Sequence, residues 1–443
     1  MKLLVKECYA AQEEDISLNC SIMNSHAKVS PVPSDYFGIL WALAGVKDIM
    51  ILEHGPTGNA RYNLMNFRAM DRQSPRKKLF STGLKEDELI LGSDEKIATA
   101  VKEIDTLYSP DVIALVATCV SKVVGVDLEG IAAELQPDVN ARLLVFGGGG
   151  FVGNYTDGIR DVFTTLVREF ATEKTSMDEM YANIIGPSID TFNSASDNSE
   201  IERLLCLLGI RVNTILSAST DIESIKSLPN AAVNIVTNES GLEAARLLEE
   251  RFGTPYIYGL PFGVRGTTEW LKDLACKLDM KLDKDIIIRE LKKYGYTFPE
   301  LTSVKLMKKD LDVAVCCPYD LALGLTRYIV QEWNYNVKIV VLPVKPETTE
   351  YINNFSELGV SKVLVEPDLK SFMHAMEMTR PHLLFGNIDH IALMPEVPIK
   401  IQAASPTYDK IFLYDGTPFV GYRGNAFLLQ NLINSLVDLQ EDI

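Results

Sequence analysis

Short apolar runs bounded by glycine, proline or acid alternate along this chain with longer segments in which apolar residues recur every three or four positions. The first kind reads as buried strand and the second as amphipathic helix. Residues 35–44 carry the helical period, Gly45 closes it, and Ile49-Met50-Ile51-Leu52 follows as a strand. Asp94 starts a helix in which Ile97, Val101, Ile104 and Leu107 fall on one stripe. The β-branched run from Val112 to Thr118, set off by Pro110, is the next strand, followed by a helix over about 127–135 and a strand over 141–146. A helix over 156–170 then leads to a second series: strands at 183–187, 212–216, 232–236 and 256–259, with helices at 200–208 and 242–251. A third series has strands at 313–317, 337–342, 363–366 and 383–386 and a helix at 319–332, and Leu428, Leu429, Leu432, Ile433 and Leu436 stripe a last helix.

Repeated β-α-β predicts parallel sheets covered on both faces. A chain of 443 residues is too long for one core. The fold class is therefore α/β, with three Rossmann-like domains. An N-terminal arm over 1–33 ends in the helix-incompatible Ser30-Pro31-Val32-Pro33. The domains run over 34–180, 181–305 and 306–415, and residues 416–443 form a C-terminal helix. Between the first two domains lies a polar loop from Pro187 to Asn198.

Sixty acidic against 43 basic residues leave a net charge of -17. Nucleic acid and anionic membranes both need a basic face, so neither is an expected partner. No stretch reaches the roughly 18 apolar residues of a membrane span, and the acidic turn at Glu13-Glu14-Asp15 is unlike a signal peptide. The seven cysteines form no C-x-x-C and no zinc spacing, which points to a reducing, cytoplasmic setting. Cys206 and Cys276 sit among leucines and read as packing residues, and Cys316 and Cys317 as core and edge thiols on opposite faces of a strand.

The candidate chemistry gathers at strand ends. Cys119 stands at the carboxyl end of a strand, where open α/β sheets leave a ligand crevice. His54-Gly55-Pro56-Thr57-Gly58-Asn59 follows the preceding strand and can converge on the same place. Gly147 to Gly153 contains a G-x-G-x-x-G at Gly148, Gly150 and Gly153, a pattern that cradles dinucleotides in NAD or FAD enzymes. The next strand, however, ends in Gly186-Pro187 without the acid that holds a ribose hydroxyl. Arg265, in a turn that opens a helix, reads as an anion ligand or as a solvated surface side chain. There is no P-loop, no G-x-S-x-G and no H-E-x-x-H, so any ATP hydrolysis belongs to a separate protein.

These residues taken in order resemble a known family. His54-Gly55-Pro56-x-Gly58-Asn59, Arg68, Ser81-Thr82-Gly83-Leu84, Gly92, Thr118-Cys119-Val120, Gly125-x-Asp127 and Phe151-Val152-Gly153 are similar to component 1 of the nitrogenases and its relatives. Those relatives include light-independent protochlorophyllide reductases, cofactor-assembly scaffolds and the cyclase of nickel-tetrapyrrole synthesis. The details resemble the β-type subunit. The resemblance implies three domains of nitrogenase component 1 type, with the C-terminal helix returning to the first. It also implies an iron-sulfur cluster of four or eight irons at a subunit interface, fed by a dimeric ATP-dependent iron-sulfur reductase. In the full family pattern three cysteines per subunit hold that cluster. Here Cys119 alone remains as the metal ligand, with Ser34 and Asn59 at the vacated cysteine positions and His54, Gly55, Gly149 and Gly150 shaping the pocket. Asparagine and serine are poor substitutes for thiolate, so a cysteine-complete α-type subunit is the expected partner. Cys20, in the arm, is either a displaced ligand or an ordinary thiol.

The cysteine and histidine that hold the active-site cofactor in the α-type subunit have no match here, so dinitrogen reduction centred on this chain is not expected. Two other readings stay open: a non-catalytic scaffold or carrier of a cluster precursor or tetrapyrrole, and a nucleotide-dependent oxidoreductase using Gly148 to Gly153.

Overall fold

The computed structural model describes residues 29, 32–70, 78–172, 174, 180–218, 220–296, 310–403 and 416–441. Cys20, most of the arm to which it belongs and the side chain of Arg68 lie outside the described residues. Among the described residues thirteen strands form three sheets, every pairing parallel. The first, in the order β2-β1-β3-β4, comprises β1 (Ile49–His54), β2 (Leu79–Ser81), β3 (Val112–Ala117) and β4 (Arg142–Phe146). The second runs β6-β5-β7-β8, from β5 (Tyr181–Ile185), β6 (Arg211–Ile215), β7 (Val233–Val236) and β8 (Tyr256–Tyr258). The third runs β11-β10-β9-β12-β13, from β9 (Asp312–Cys316), β10 (Asn336–Leu342), β11 (Lys362–Val365), β12 (Leu383–Gly386) and β13 (Ile399–Gln402). Each sheet has a switch point where the strand order turns back, between β1 and β3, between β5 and β7, and between β9 and β12. Ligand crevices of open α/β sheets form at such points, because the loops on either side depart toward opposite faces.

The sheets share their cores. The helix Asp35–Ala44 is buried almost all round. It crosses the helix Tyr155–Phe170, and its cluster unites Ile51, Val116 and Phe146 of the first sheet with Ile185 and Val236 of the second. Ser217 Oγ donates to Ala42 O, and Lys47 N donates to Thr220 O, tying this helix end to the second sheet. A larger cluster joins the second and third sheets and takes in Leu428, Leu429, Leu432 and Leu436 of the last helix, Gly421–Glu441.

That last helix corrects an expectation. Its main partners are the helices Ser194–Leu207, Gly263–Lys277 and Lys284–Tyr294 rather than the first domain. The leucine stripe meets Trp270, Leu271 and Leu274, in a core that contains no residue of the first sheet. Cys206 and Cys276 are also corrected: both are exposed. Cys206 follows the buried Leu205, and Cys276 the buried Ala275, by one step of about 100° of helix, which turns each to solvent. Cys316 and Cys317 are both buried, in different clusters on opposite faces of the third sheet. The helix from Tyr319 ends at Tyr328 and continues as a wide turn over Ile329–Trp333. That turn carries Glu332, whose carboxylate accepts from Val264 N and Arg265 N, so this chain supplies its own anion at the helix start. Arg265 itself is exposed and pairs with Glu269. Among the described residues no helix is long and apolar enough to cross a membrane.

Candidate functional site at the first switch point

Strand β3 is buried at every position, and β1 lies beside it in parallel register with His54 opposite Ala117. Thr118 ends β3 as the N-cap of a short helix, Cys119–Val124. Its Oγ1 donates to His54 O at 2.8 Å, which ties the two strand-end turns together. Ser121 N donates to Thr118 Oγ1 at 3.5 Å and Thr118 N donates to Ser121 Oγ at 2.9 Å, a reciprocal cap that holds the turn shut. Cys119 is the first residue beyond the cap and is exposed.

The other predicted residues surround this turn. A methyl group on Gly55 would come within 2.5 Å of Thr118 Oγ1, so only glycine lets the two loops approach. Gly149 and Gly150 adopt φ of 66° and 91°, backbone that favours glycine. A β-carbon on Gly149 would lie 2.6 Å from Lys122 Cβ, and one on Gly150 would lie 3.2 Å from Ser34 Oγ. Ser34 precedes the helix Asp35–Ala44 and bridges to Asn154, its hydroxyl making no cap bond. Asn59 is half-buried in the first turn of the helix Thr57–Met70, its N–H donating to Pro56 O. The loops bearing Ser34, His54-Gly55, Cys119 and Gly149-Gly150 therefore meet at the switch point between β1 and β3.

His54 is held in place at this site by both ring nitrogens. It is buried, with Thr82 Oγ1 and Ser93 Oγ each 3.0 Å from one ring nitrogen. Burial lowers its pKa to about 4, so the neutral ring acts as a strut between two hydroxyls. The glycine-rich loop is likewise unsuited to a dinucleotide. Val152 N donates to Asp35 Oδ1 and Asn154 N donates to Asp157 Oδ2, so carboxylates of this chain take two N–H groups that a pyrophosphate would need. Like charges there would repel the ligand.

One group carried no flag in the sequence. Glu53, fully buried at the end of β1, accepts from Tyr36 OH at 2.8 Å and from Asn63 Nδ2 at 2.5 Å, while Asn63 Nδ2 also reaches Tyr36 OH at 2.7 Å. Its Oε2 has no partner among the described residues. Burial is the main cause that raises its carboxyl to about 7, against the pull of the Tyr36 and Asn63 bonds. The available signal was a lone acid closing an otherwise apolar strand run.

Around the crevice Val123, Val124, Phe151 and Val152 are exposed. Among the described residues no three His, Cys, Asp or Glu side chains stand close enough to hold a metal ion. One exposed thiol with a hydroxyl and an amide on neighbouring loops cannot complete an iron-sulfur site. As half of a donor set shared across an apolar surface, it fits: the thiol is soft, it is accessible, and side-chain-free backbone lies beside it.

Three parallel sheets, each with a switch point, and an exposed thiol at the first of them define an α/β protein of Rossmann-like architecture. The family model described as nitrogenase component 1 type oxidoreductase matches residues 34–437, and the chain belongs to that family. It is 28% identical over 410 residues to the B subunit of the light-independent protochlorophyllide reductase of Heliobacterium modesticaldum, covering 91% of this chain and 77% of that one. The corresponding chain of Angiopteris evecta is 24% identical over 426 residues, with 92% and 83% covered. Among solved structures, one titled nitrogenase Cp1 at pH 6.5 superposes with a TM-score of 0.77 at 21% identity, covering 94% of each chain.

Proposed function

We propose that this chain is the β-type subunit of a nitrogenase-like reductase. It pairs with a cysteine-complete α-type subunit, and electrons reach the pair from a dimeric ATP-dependent iron-sulfur reductase. The observation that carries the reading is the exposed Cys119 thiol at the β1/β3 switch point, set among glycine backbone and rimmed by exposed apolar side chains. An iron-sulfur cluster bound there supplies a one-electron relay between the reductase and the substrate. Cys119 holds iron as thiolate, Gly149 and Gly150 keep side chains out of the pocket, and Ser34 and Asn59 flank it without thiolate. The Thr82-His54-Ser93 strut keeps the β1 turn against Thr118. The names of the similar reductase chains make a tetrapyrrole the first substrate to assay.

The test is anaerobic production of the chain alone and with its component 1 partner, followed by iron and sulfide assay and electron paramagnetic resonance. The chain alone should hold little iron and the pair a full cluster. Cys119→Ala should deplete iron from the pair while far-UV circular dichroism stays unchanged. A stoichiometric cluster on the isolated chain, or full iron in the Cys119→Ala pair, overturns the proposal. Retained iron with no turnover by reductase and ATP would mark the scaffold role instead.

A further inference from the structure

A cavity of about 160 Å³ lies apart from the Cys119 crevice, at the switch point of the second sheet. The loops after β5 and β7 form one side, those after β9 and β10 close the other, and the start of the helix Tyr155–Phe170 completes the wall. Its size is close to the ~150 Å³ engineered cavity that admits benzene, which is several times too small for a tetrapyrrole. Aromatic rings of Tyr155, Phe192 and Tyr319 line it.

Acids outnumber cations in the wall. Asp190 is 5% exposed, and the only hydrogen bond its carboxylate takes from another described residue comes from Ser188 Oγ. Asp320 accepts from Tyr258 OH and from Glu239 N. Glu239 accepts from the N–H groups of Glu347 and Thr348. No cationic side chain among the described residues forms an ion pair with Asp190, Asp320 or Glu239. Of the two cations in the wall, Arg160 is taken up by Asp157 and Glu347, though its charge also reaches Glu239, and Lys345 is exposed. Buried carboxylates without counter-charge are costly. Accordingly, burial holds Asp190, Asp320 and Glu239 above the ordinary carboxylate range, with mutual repulsion adding to it for Asp320.

A metal ion does not answer this charge, since no three acidic, histidine or cysteine side chains converge among the described residues. Separated carboxylates in an aromatic wall instead suit a cation that carries its own hydrogen-bond donors on an apolar body. We propose that this cavity binds a small organic cation, an ammonium or guanidinium group on a body of about one ring, with Asp190 as its main charge partner. The proposal does not rest on the electron-transfer reading, because it needs neither Cys119 nor a partner chain.

The test is isothermal titration calorimetry of the full chain at neutral to slightly alkaline pH with benzylammonium, isobutylammonium and methylguanidinium, against benzyl alcohol and benzoate as neutral and anionic controls. At least one cation should bind saturably with one site per chain, and both controls should fail. Asp190→Asn should weaken the best cation about tenfold or more while the thermal midpoint stays near that of the parent. Asp320→Asn serves as a second variant if the first does not fold. The inference is overturned if no cation binds by about 10 mM, if benzyl alcohol binds as tightly as benzylammonium, or if the folded variants bind the cation unchanged.

Discussion

Replacing Gly38 with alanine tests whether the Cys119 crevice is held in place by one helix crossing. Gly38 lies on the buried helix Asp35–Ala44, and a β-carbon there would come within 2.7 Å of the Tyr155 carbonyl carbon and 2.9 Å of its Cα. The contact is reciprocal: a β-carbon on Gly158 would lie 2.8 Å from both Asp35 C and Ile39 N. Non-bonded carbons rest about 3.5–4.0 Å apart, so the helices must part by about 1 Å, and backbone cannot swing aside. Overpacking of this kind costs about 1–3 kcal/mol. A gap of ~1 Å further weakens contacts among Ile39, Trp41, Tyr155 and Phe163. Alanine returns about 1 kcal/mol of helix propensity, leaving a net loss of about 1–2 kcal/mol. Gly266, on the helix Gly263–Lys277 with no atom within 4 Å of its would-be β-carbon, is the control. Its alanine variant should be up to about 1 kcal/mol more stable than the parent. The assay is urea unfolding followed by far-UV circular dichroism, with labelling of the native Cys119 thiol as a second readout, because Ser34 and the 147–153 loop move with the crossing. If Gly38→Ala is as stable as Gly266→Ala, the crossing is not the constraint it is taken to be.

Other outcomes follow from buried charge. Arg203 forms paired bonds with Glu200, which is 1% exposed at its side chain, and reaches Glu290, so Arg203→Met should cost about 3 kcal/mol, the low end for breaking a buried pair, because Arg423 Nε still lies 3.7 Å from Glu200. Proteolysis should then release the helix Gly421–Glu441 first, since Glu200 also accepts from Arg423 N, and retained protection would contradict this. His390, nearly fully buried against Asn387 and Phe372, has its pKa lowered by burial to about 4. A lowered histidine value means that the neutral form is the stable folded one. Its contribution is complete above about pH 6.5 and is lost as pH falls toward 4, by on the order of 3 kcal/mol. Asp197 and Asp320, raised to about 7, act with the opposite sign, so the informative quantity is a difference. Urea midpoints of the parent should fall more between pH 7 and 5 than those of His390→Asn, and equal slopes would refute the assignment.

Much of the architecture was legible along the chain because a strand covered on both faces must be apolar throughout. The runs at Val112, Val313 and Leu383 are short and apolar throughout, as such strands require, and Cys119 could be set at a strand end by counting. The sequence could not say that β1 and β3 are neighbours with the order reversing between them, the fact that turns two loops into one crevice. Nor could it show that His54 is locked between Thr82 and Ser93, or that Val152 N and Asn154 N are already taken by Asp35 and Asp157. Most of these contacts join residues far apart along the chain, and local periodicity carries no information about them. Cys206 and Cys276 mark the same limit: neighbouring leucines declare a helix, but only its packing partner decides which face is inside. The last helix announced its leucine stripe and not its destination, because an apolar stripe specifies burial while the shape of the available groove selects the site. Local side-chain chemistry thus determined which elements form and where reactive groups sit along them, and long-range packing alone decided which of those groups meet.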